Sequence, residues 1–476
     1  MITRLPKTPA PQPDFFRTLL KDFIDHERDL VKLANAIDWE GLEVAFAKCY
    51  CDNNGRPACP VRVMVGLQYL KYLHGLSDQD TLDHWCENPY WQYFCGMALF
   101  QHTPPTDQTT MSTWRKRVAQ AGAEKLLEEV LSTGLRTKII KPADLARVNV
   151  DTTVQPKNIR HPTDARLYER CCERLVKQAK REKVSLRQTY TRVNKKHLRK
   201  QSGYAKAKQF KRAQKETRKL KTHLKAVVTD IRKKSPAPTP AMLELLTLAD
   251  RLLEQKRDDK NKLYSIHEPQ VECIAKGKAH KPYEFGVKAG FVTTSVGNWI
   301  TGALAFPGNP YDGHTLKDAL AQSERLCGHT HKMAICDLGY RGHGYTGPCD
   351  IQVVNRSRKS TSRRMLRWWK RRSAIEPIIG HMKSEHGLGC NLLGGELGDA
   401  QNAVFAAIGL NLRKMLRALA LFLRLFLPMP RAAHGAWTCF LRFATDFFAV
   451  PTLPVRPDAA WRPWLAGAGR RILGFA

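Results

Sequence analysis

No stretch of the 476-residue chain is both long enough and free enough of charge to cross a bilayer. The most apolar late segment, Ala403 to Leu427, carries Arg413, Lys414, Arg417 and Arg424, and reads as a packed helix. Zinc spacing is missing as well. The 13 cysteines contain no Cys-x2-Cys pair, and the tightest group, Cys49, Cys51 and Cys59, does not fit a sulfur-held metal. Arg4, Pro6 and Lys7 interrupt any secretory apolar run after Met1, and an odd cysteine number fits poorly with a full set of internal disulfides, so a reducing cytosol is the expected setting. No internal repeat is visible. Acid is scarce: 44 Asp and Glu face 78 Lys and Arg, a formal net charge of +34. Such a chain repels itself unless a polyanion neutralises part of the excess, and nucleic acid is the expected partner. A purely structural basic protein fits less well, because 10 Trp and long apolar stretches suit an enzyme-sized body of several domains.

Along the chain, apolar residues recur at near-helical spacing from Val61 to Leu73 and stop at Gly75. Ser77 is placed to cap a second helix that ends at Asn88-Pro89, and Thr110 or Ser112 to cap a third around Trp114. Two helices about Gly75 suit a helix-turn-helix within residues 1–140; an ordinary helical bundle fits the same pattern. After Pro142 the character changes. Ala146 to Val154 bunches β-formers, with Asp151 expected at or near the end of that strand. Further strand signals lie at Tyr283 to Thr294, Trp299 to Phe306, Met333 to Cys336 and Ile351 to Val354. The expectation is a mixed α/β sheet built from 141–162 and 264–427, with 428–476 as a C-terminal tail.

Between the first two strands lies a helical insertion, 163–263. From Lys177 to Lys234 it holds 22 Lys and Arg against Glu182, Glu216 and Asp230, a balance of +19. Charge of one sign at this density is poorly neutralised from within, and phosphate is its natural counterion. The expected DNA contacts here are Lys195, Lys196, Arg199, Lys200, Lys211 and Arg212. A DNA clamp, a contact between protomers and a solvated helical decoration all remain open. Pro236 to Pro240 marks a stiff linker before another helix, Met242 to Leu253.

Chemistry concentrates near Glu376. Trp369, Arg372, Glu376 and Lys383 follow the spacing Trp-x2-Arg-x3-Glu-x6-Lys. At about 100° per residue the other three fall roughly 60°, 40° and 20° from Arg372, on one narrow face of a helix. Pro377 is tolerable only in a first turn, so the regular helix is expected to begin near Glu376. Taken alone, Arg372 and Glu376 could be a simple i, i+4 ion pair, Asp337 a turn residue after its strand, and Asp151 part of a turn.

Asn-Val-Asp151-Thr-Thr, Asn309-Pro-Tyr-Asp-Gly-His-Thr-Leu316, Cys336-Asp337-Leu-Gly-Tyr-Arg-Gly342 and the Arg372, Glu376, Lys383 spacing together resemble the insertion-sequence transposases of the IS4/IS5 superfamily. The resemblance runs from about Pro60 to Asn411. It implies a ribonuclease H-like catalytic core and a DDE triad holding divalent metal, with Asp151 on the first strand, Asp337 after the fourth and Glu376 on a following helix. The implied cofactor is Mg2+, with Mn2+ as a substitute. Arg372 and Lys383 would grip phosphates near the cleaved end, Arg341 belongs to the same DNA-contacting set, and His314 would line the site. Trp369 stands where the family's signature has Tyr; an indole can stack but has no phenol oxygen. The implied reaction is metal-dependent cleavage at element ends followed by strand transfer into target DNA. The implied assembly is a homodimer on double-stranded DNA, in a bacterial cytoplasm and at the nucleoid when bound. A repurposed DNA-binding protein and a stand-alone metal-dependent nuclease are the rival readings.

Overall fold

A computed structural model describes residues 18–51, 57–256, 258–259, 262–275, 282–354 and 362–426. The chain divides after Leu421, and the second unit contributes to the described residues only the end of the last helix. The expected tail, 428–476, lies outside the described residues.

Seven helices come first: α1 (Leu20–Phe23), α2 (Asp29–Ala36), α3 (Trp39–Ala47), α4 (Val61–His74), α5 (Asp78–Glu87), α6 (Pro89–Phe94) and α7 (Gln108–Arg136). Short polar caps set their ends. Ser77 accepts from the Asp80 amide, and Asn88 accepts from the amides of Tyr90 and Trp91, so Asn88-Pro89 closes one helix and opens the next. The third cap departs from expectation: Asp107, not Thr110 or Ser112, accepts the Thr110 amide at 2.8 Å.

The helix-turn-helix reading meets two obstacles. All but three residues of α4 are buried, which makes it the central rod of a core and not a helix with one apolar stripe. The helix α5 has no Lys or Arg of its own; Asp78 is paired with Lys71 and Arg115 of neighbouring helices, while Asp80, Asp83 and Glu87 leave the helix a negative charge that repels phosphate. Gly75 ends α4 in the left-handed region, φ 66°, where a Cβ would run into the carbonyl oxygen of Glu385.

A six-stranded sheet follows: β1 (Arg147–Pro156), β2 (Glu272–Ala275), β3 (Tyr283–Thr294), β4 (Ile300–Phe306), β5 (Met333–Cys336) and β6 (Asp350–Val353). Between β1 and β2 run α8 (Asp164–Arg181), α9 (Thr191–Lys206), α10 (Phe210–Lys234) and α11 (Pro240–Glu254). Beyond β4 come α12 (Asp312–Cys327) and, after β6, α13 (Arg363–Arg372), α14 (Ile375–Glu385) and α15 (Gly395–Phe426). The strand order is β2-β3-β1-β5-β6, with β4 also on β3. Pairs β1/β3, β2/β3 and β3/β4 are antiparallel; β1/β5 and β5/β6 are parallel. The fold is therefore mixed α/β with a mixed sheet.

Alternation along β1 sorts its side chains between two layers. Val148 and Val150 pack with Val292, Leu316 and Leu320 beneath α12. Gln155, two residues beyond Thr153 on the opposite face, bonds to Asp399 and Asn402 of α15. That second face belongs to a larger core in which α2–α7 join Phe291, Ile300 and the 403–415 stretch of α15. The inserted helices have a separate core, centred on Leu175, Leu220, Leu224, Ile231 and Leu252.

Candidate active site

Asp151 lies in the middle of β1, not near its end as expected, because antiparallel pairing with β3 carries the strand on to Pro156. The parallel ladder with β5, however, stops at Asn149↔Ile335. Asp151 therefore sits just past the carboxyl edge of that ladder, where open α/β sheets place their ligand sites. Extending the same register by two residues sets Asp151 beside Asp337, and aligned residues on parallel strands point to the same face. Asp337 follows the fifth strand and not the fourth, since β2 was not anticipated; its Oδ1 accepts the Gly339 amide at 2.9 Å.

Glu376 comes from the start of α14. The preceding α13 ends at Arg372, and Ser373 and Ala374 keep helical dihedrals between the two helices. Arg372 and Glu376 therefore stay about one turn apart, and Pro377 falls in the first turn of α14, where its missing N–H costs nothing. Trp369 belongs to the separate helix α13.

The three carboxylates meet on one guanidinium. Arg372 lies 2.9 Å from Asp151 Oδ2 and 3.3 Å from Asp337 Oδ2 through one nitrogen, and 3.6 Å from Glu376 Oε1 through another. Exposure is graded: Asp151 14%, Asp337 39% and Glu376 66% of each side chain. Burial pushes the Asp151 carboxyl up to about 6; Arg372 pulls it down, while Asp337 and Glu376 add to the rise. A carboxylate so placed is held by its surroundings in want of positive charge. Among the described residues no group of three or more His, Cys, Asp or Glu side chains stands ready to hold a metal ion as it is.

Neighbouring elements fix this geometry. Arg371 donates to the Ser295 carbonyl at 3.1 Å and its own carbonyl accepts from Asn149, so the end of α13 is pinned to β1 and the turn after β3. The Asp151 Oδ1 accepts from the Thr152 amide at 2.8 Å. Thr152 turns its hydroxyl to the other face of β1 and donates to Asp312 at 2.9 Å, and Lys288 pairs with the same carboxylate at 2.8 Å.

The remaining expected residues are spread around this centre. Lys383 reaches Glu284 of β3 at 3.8 Å. The Trp369 indole N–H is buried without a hydrogen-bond partner. Arg341 is exposed, and its carbonyl accepts the Tyr311 hydroxyl at 2.7 Å; His314 is exposed on the first turn of α12, edge-on to Tyr311. Lys195, Lys196, Arg199, Lys200, Lys211 and Arg212 are exposed on α9 and α10.

Sequence reasoning passed over three features. Within the Asn309 to Leu316 motif it is Asp312, bonded to Thr152 and Lys288, that touches the site's support, while His314 is exposed. Lys288 is a lone cation in the apolar middle of β3. The helix α13 bears Arg363, Arg364, Arg367, Lys370, Arg371 and Arg372 with no acid, and Trp368 on it receives Arg147 at 4.8 Å and Arg371 at 5.7 Å over its ring. A count of cations in that ten-residue window would have found the helix.

Comparison with known proteins places residues 18–117 within a family model described as a transposase domain (DUF772). The chain is also 48% identical over 197 residues to the uncharacterized protein ORF8 in the nfe locus of Rhizobium meliloti, covering 41% of this chain and 95% of that protein. No solved structure gives a significant match. Among the described residues no helix is long and apolar enough to cross a membrane.

Proposed function

We infer that this chain, which belongs to the same family as the Rhizobium meliloti ORF8 protein and carries a transposase-family domain, is a DDE transposase that cuts DNA at insertion-sequence ends and joins the freed strand to target DNA. One observation carries the reading: Asp151 on β1, Asp337 in the turn after β5 and Glu376 on α14, distant in sequence, converge on Arg372. The mixed sheet supports a ribonuclease H-like core, since its parallel half delivers two of the acids side by side and its antiparallel half backs them. The IS4/IS5 resemblance rests on the same residues.

The acids suit a hard divalent ion. Mg2+ prefers carboxylate oxygens and water, and three carboxylates around one cationic group offer that donor set once Arg372 gives way. Bound there, such ions would activate a water or a 3′-hydroxyl and stabilise the leaving oxygen. The protein's own groups do the rest. Asp151, recessed and rigid on β1, fixes the floor of the site, while Asp337 and Glu376 face the side open to DNA. Arg372 and the cations of α13 offset phosphate charge and hold the scissile bond in place. Asp312 and Lys288 brace β1 from behind.

Purified protein with Mg2+ and duplex carrying the element's terminal repeats should yield cut ends and then joined products on a gel. Cutting without any joining would favour a stand-alone nuclease; binding without cutting would favour a repurposed binder.

A pH dependence follows from Asp151. Its folded pKa, about 6, lies above the ordinary carboxylate value, so the native state holds this proton more tightly than the unfolded chain does. The stability it lends at low pH is lost as pH rises through about 6. Metal binding runs the other way, because the ligand must be deprotonated. Mn2+ affinity measured by calorimetry is expected to fall about tenfold per pH unit below about 6 and to level off above it. An affinity flat from pH 5 to pH 7 would remove Asp151 from the ligand set.

A further inference from the structure

The inserted helices α9 and α10 are joined by Ala207 to Gln209 and run antiparallel: Asn194 bonds His223 at 2.7 Å, and His197 meets Glu216. Each has an inner and an outer face. On α10, Ala213, Leu220, Leu224, Val227 and Ile231 are buried at helical spacing. Opposite them Lys211, Lys215, Arg218, Lys225 and Lys233 are exposed, with Thr222 and Thr229 in the gaps, all within about 40° of one line along the helix. On α9 the face opposite buried Asn194 exposes Arg192, Lys196, Arg199 and Lys206 around Gly203.

The acids of this region do not oppose the stripes. Glu216 is buried between His197 and Lys219, Asp230 takes Lys234, and Glu182 accepts from Gln178 and Thr239. Among the described residues no ion pair engages Lys211, Lys215, Arg218 or Lys225. The stripe from Lys211 to Lys233 spans about 33 Å at 1.5 Å per residue, close to the roughly 34 Å of one duplex turn.

We propose that the α9–α10 hairpin is a rail for duplex DNA, whose outward Lys and Arg grip backbone phosphates over about one turn without reading sequence. This rests on the DNA-cutting role proposed for the chain. A straight line of long cationic side chains about one turn in length meets the phosphate rows of both strands where they wind past it, and the stripes carry no aromatic residue on which unpaired bases would stack. A second copy of the same face is disfavoured, because a symmetric contact would set the two positive stripes against each other. The separate core beneath the helices lets the surface be changed without loosening the fold.

The test is fluorescence anisotropy of the full chain on a 30-base-pair duplex of arbitrary sequence, from 50 to 200 mM salt. Replacing Lys211, Lys215, Arg218 and Lys225 together with Gln should weaken binding at least tenfold and make the log–log salt slope shallower by about three to four. Lys196→Gln with Arg199→Gln, on the other helix, should independently take about two from the slope. Melting temperatures should be unchanged. An unaltered slope in both variants overturns the rail, and an unaltered slope with a lost oligomer in sedimentation assigns the face to a protein partner instead. Asp151→Asn separates this from the catalytic reading: its slope should match the wild type, and cleavage by that variant would sink the triad while leaving the rail standing.

Discussion

Asp151→Asn is expected to abolish Mg2+-dependent strand cleavage, by about a thousandfold or more, while binding to end-containing duplex stays within about twofold of the wild type. The substitution keeps the size of the side chain and its place in β1, and removes the charge on which the site turns. Glu376→Gln should lose cleavage to a similar degree. With its exposed side chain, Glu376 supports little of the fold, so a loss there cannot be ascribed to unfolding. Gel analysis of end-labelled duplex separates cutting from binding. Cleavage within about tenfold of wild type in either variant would remove that carboxylate from the chemistry.

Lys157→Ala is expected to destabilise the chain by about 3–5 kcal/mol, the range for breaking a buried ion pair on one side only. Lys157 and Asp399 are each about 2% exposed and lie 2.9 Å apart, and the ammonium also reaches Glu268 at 3.2 Å and the Leu393 carbonyl at 2.6 Å. Burial already raises the Asp399 carboxyl, against the pull of Lys157 and a 2.7 Å bond from Asn391. Without Lys157 the acid loses the cation that balances it and keeps only hydrogen bonds such as that from Asn391. The network ties the chain just beyond β1 to the start of α15 and to the segment before β2, so its loss should loosen the sheet that carries Asp151. The urea midpoint measures the loss, and the double variant Lys157→Met with Asp399→Leu should recover much of it. A midpoint that does not move in Lys157→Ala would contradict the buried pair.

The strands were legible where β-branched residues bunch, as in Val148 to Val154 and Phe291 to Thr294, because such side chains suit a pleated sheet whatever their partner. The four residues of β2 carry no such signal. Glu272 to Ala275 is a strand only because the first part of β3 offers it an edge. Spacing alone put Arg372 and Glu376 on one side, and the helical turn at Ser373 and Ala374 keeps them there. Register was beyond reach: that β5 covers only the first three residues of β1 depends on pairing between segments distant in sequence, and this leaves Asp151 at an open edge in mid-strand. The apolar run of α4 was visible, but its burial on all sides comes from α15 and the other helices packed around it, which no local pattern announces. The role of Arg372 was likewise assigned to phosphate alone, since its contact with Asp151 and Asp337 is tertiary.

The convergence of the three acids on a cation-binding centre is tested most directly by locating Mn2+ through its anomalous scattering in crystals of the protein bound to end DNA. The account predicts a peak within coordination distance of Asp151 and Asp337, with Glu376 beside it and Arg372 turned from the acids to a phosphate. A peak elsewhere, with Arg372 still bridging the carboxylates in a complex that cuts DNA, would contradict it.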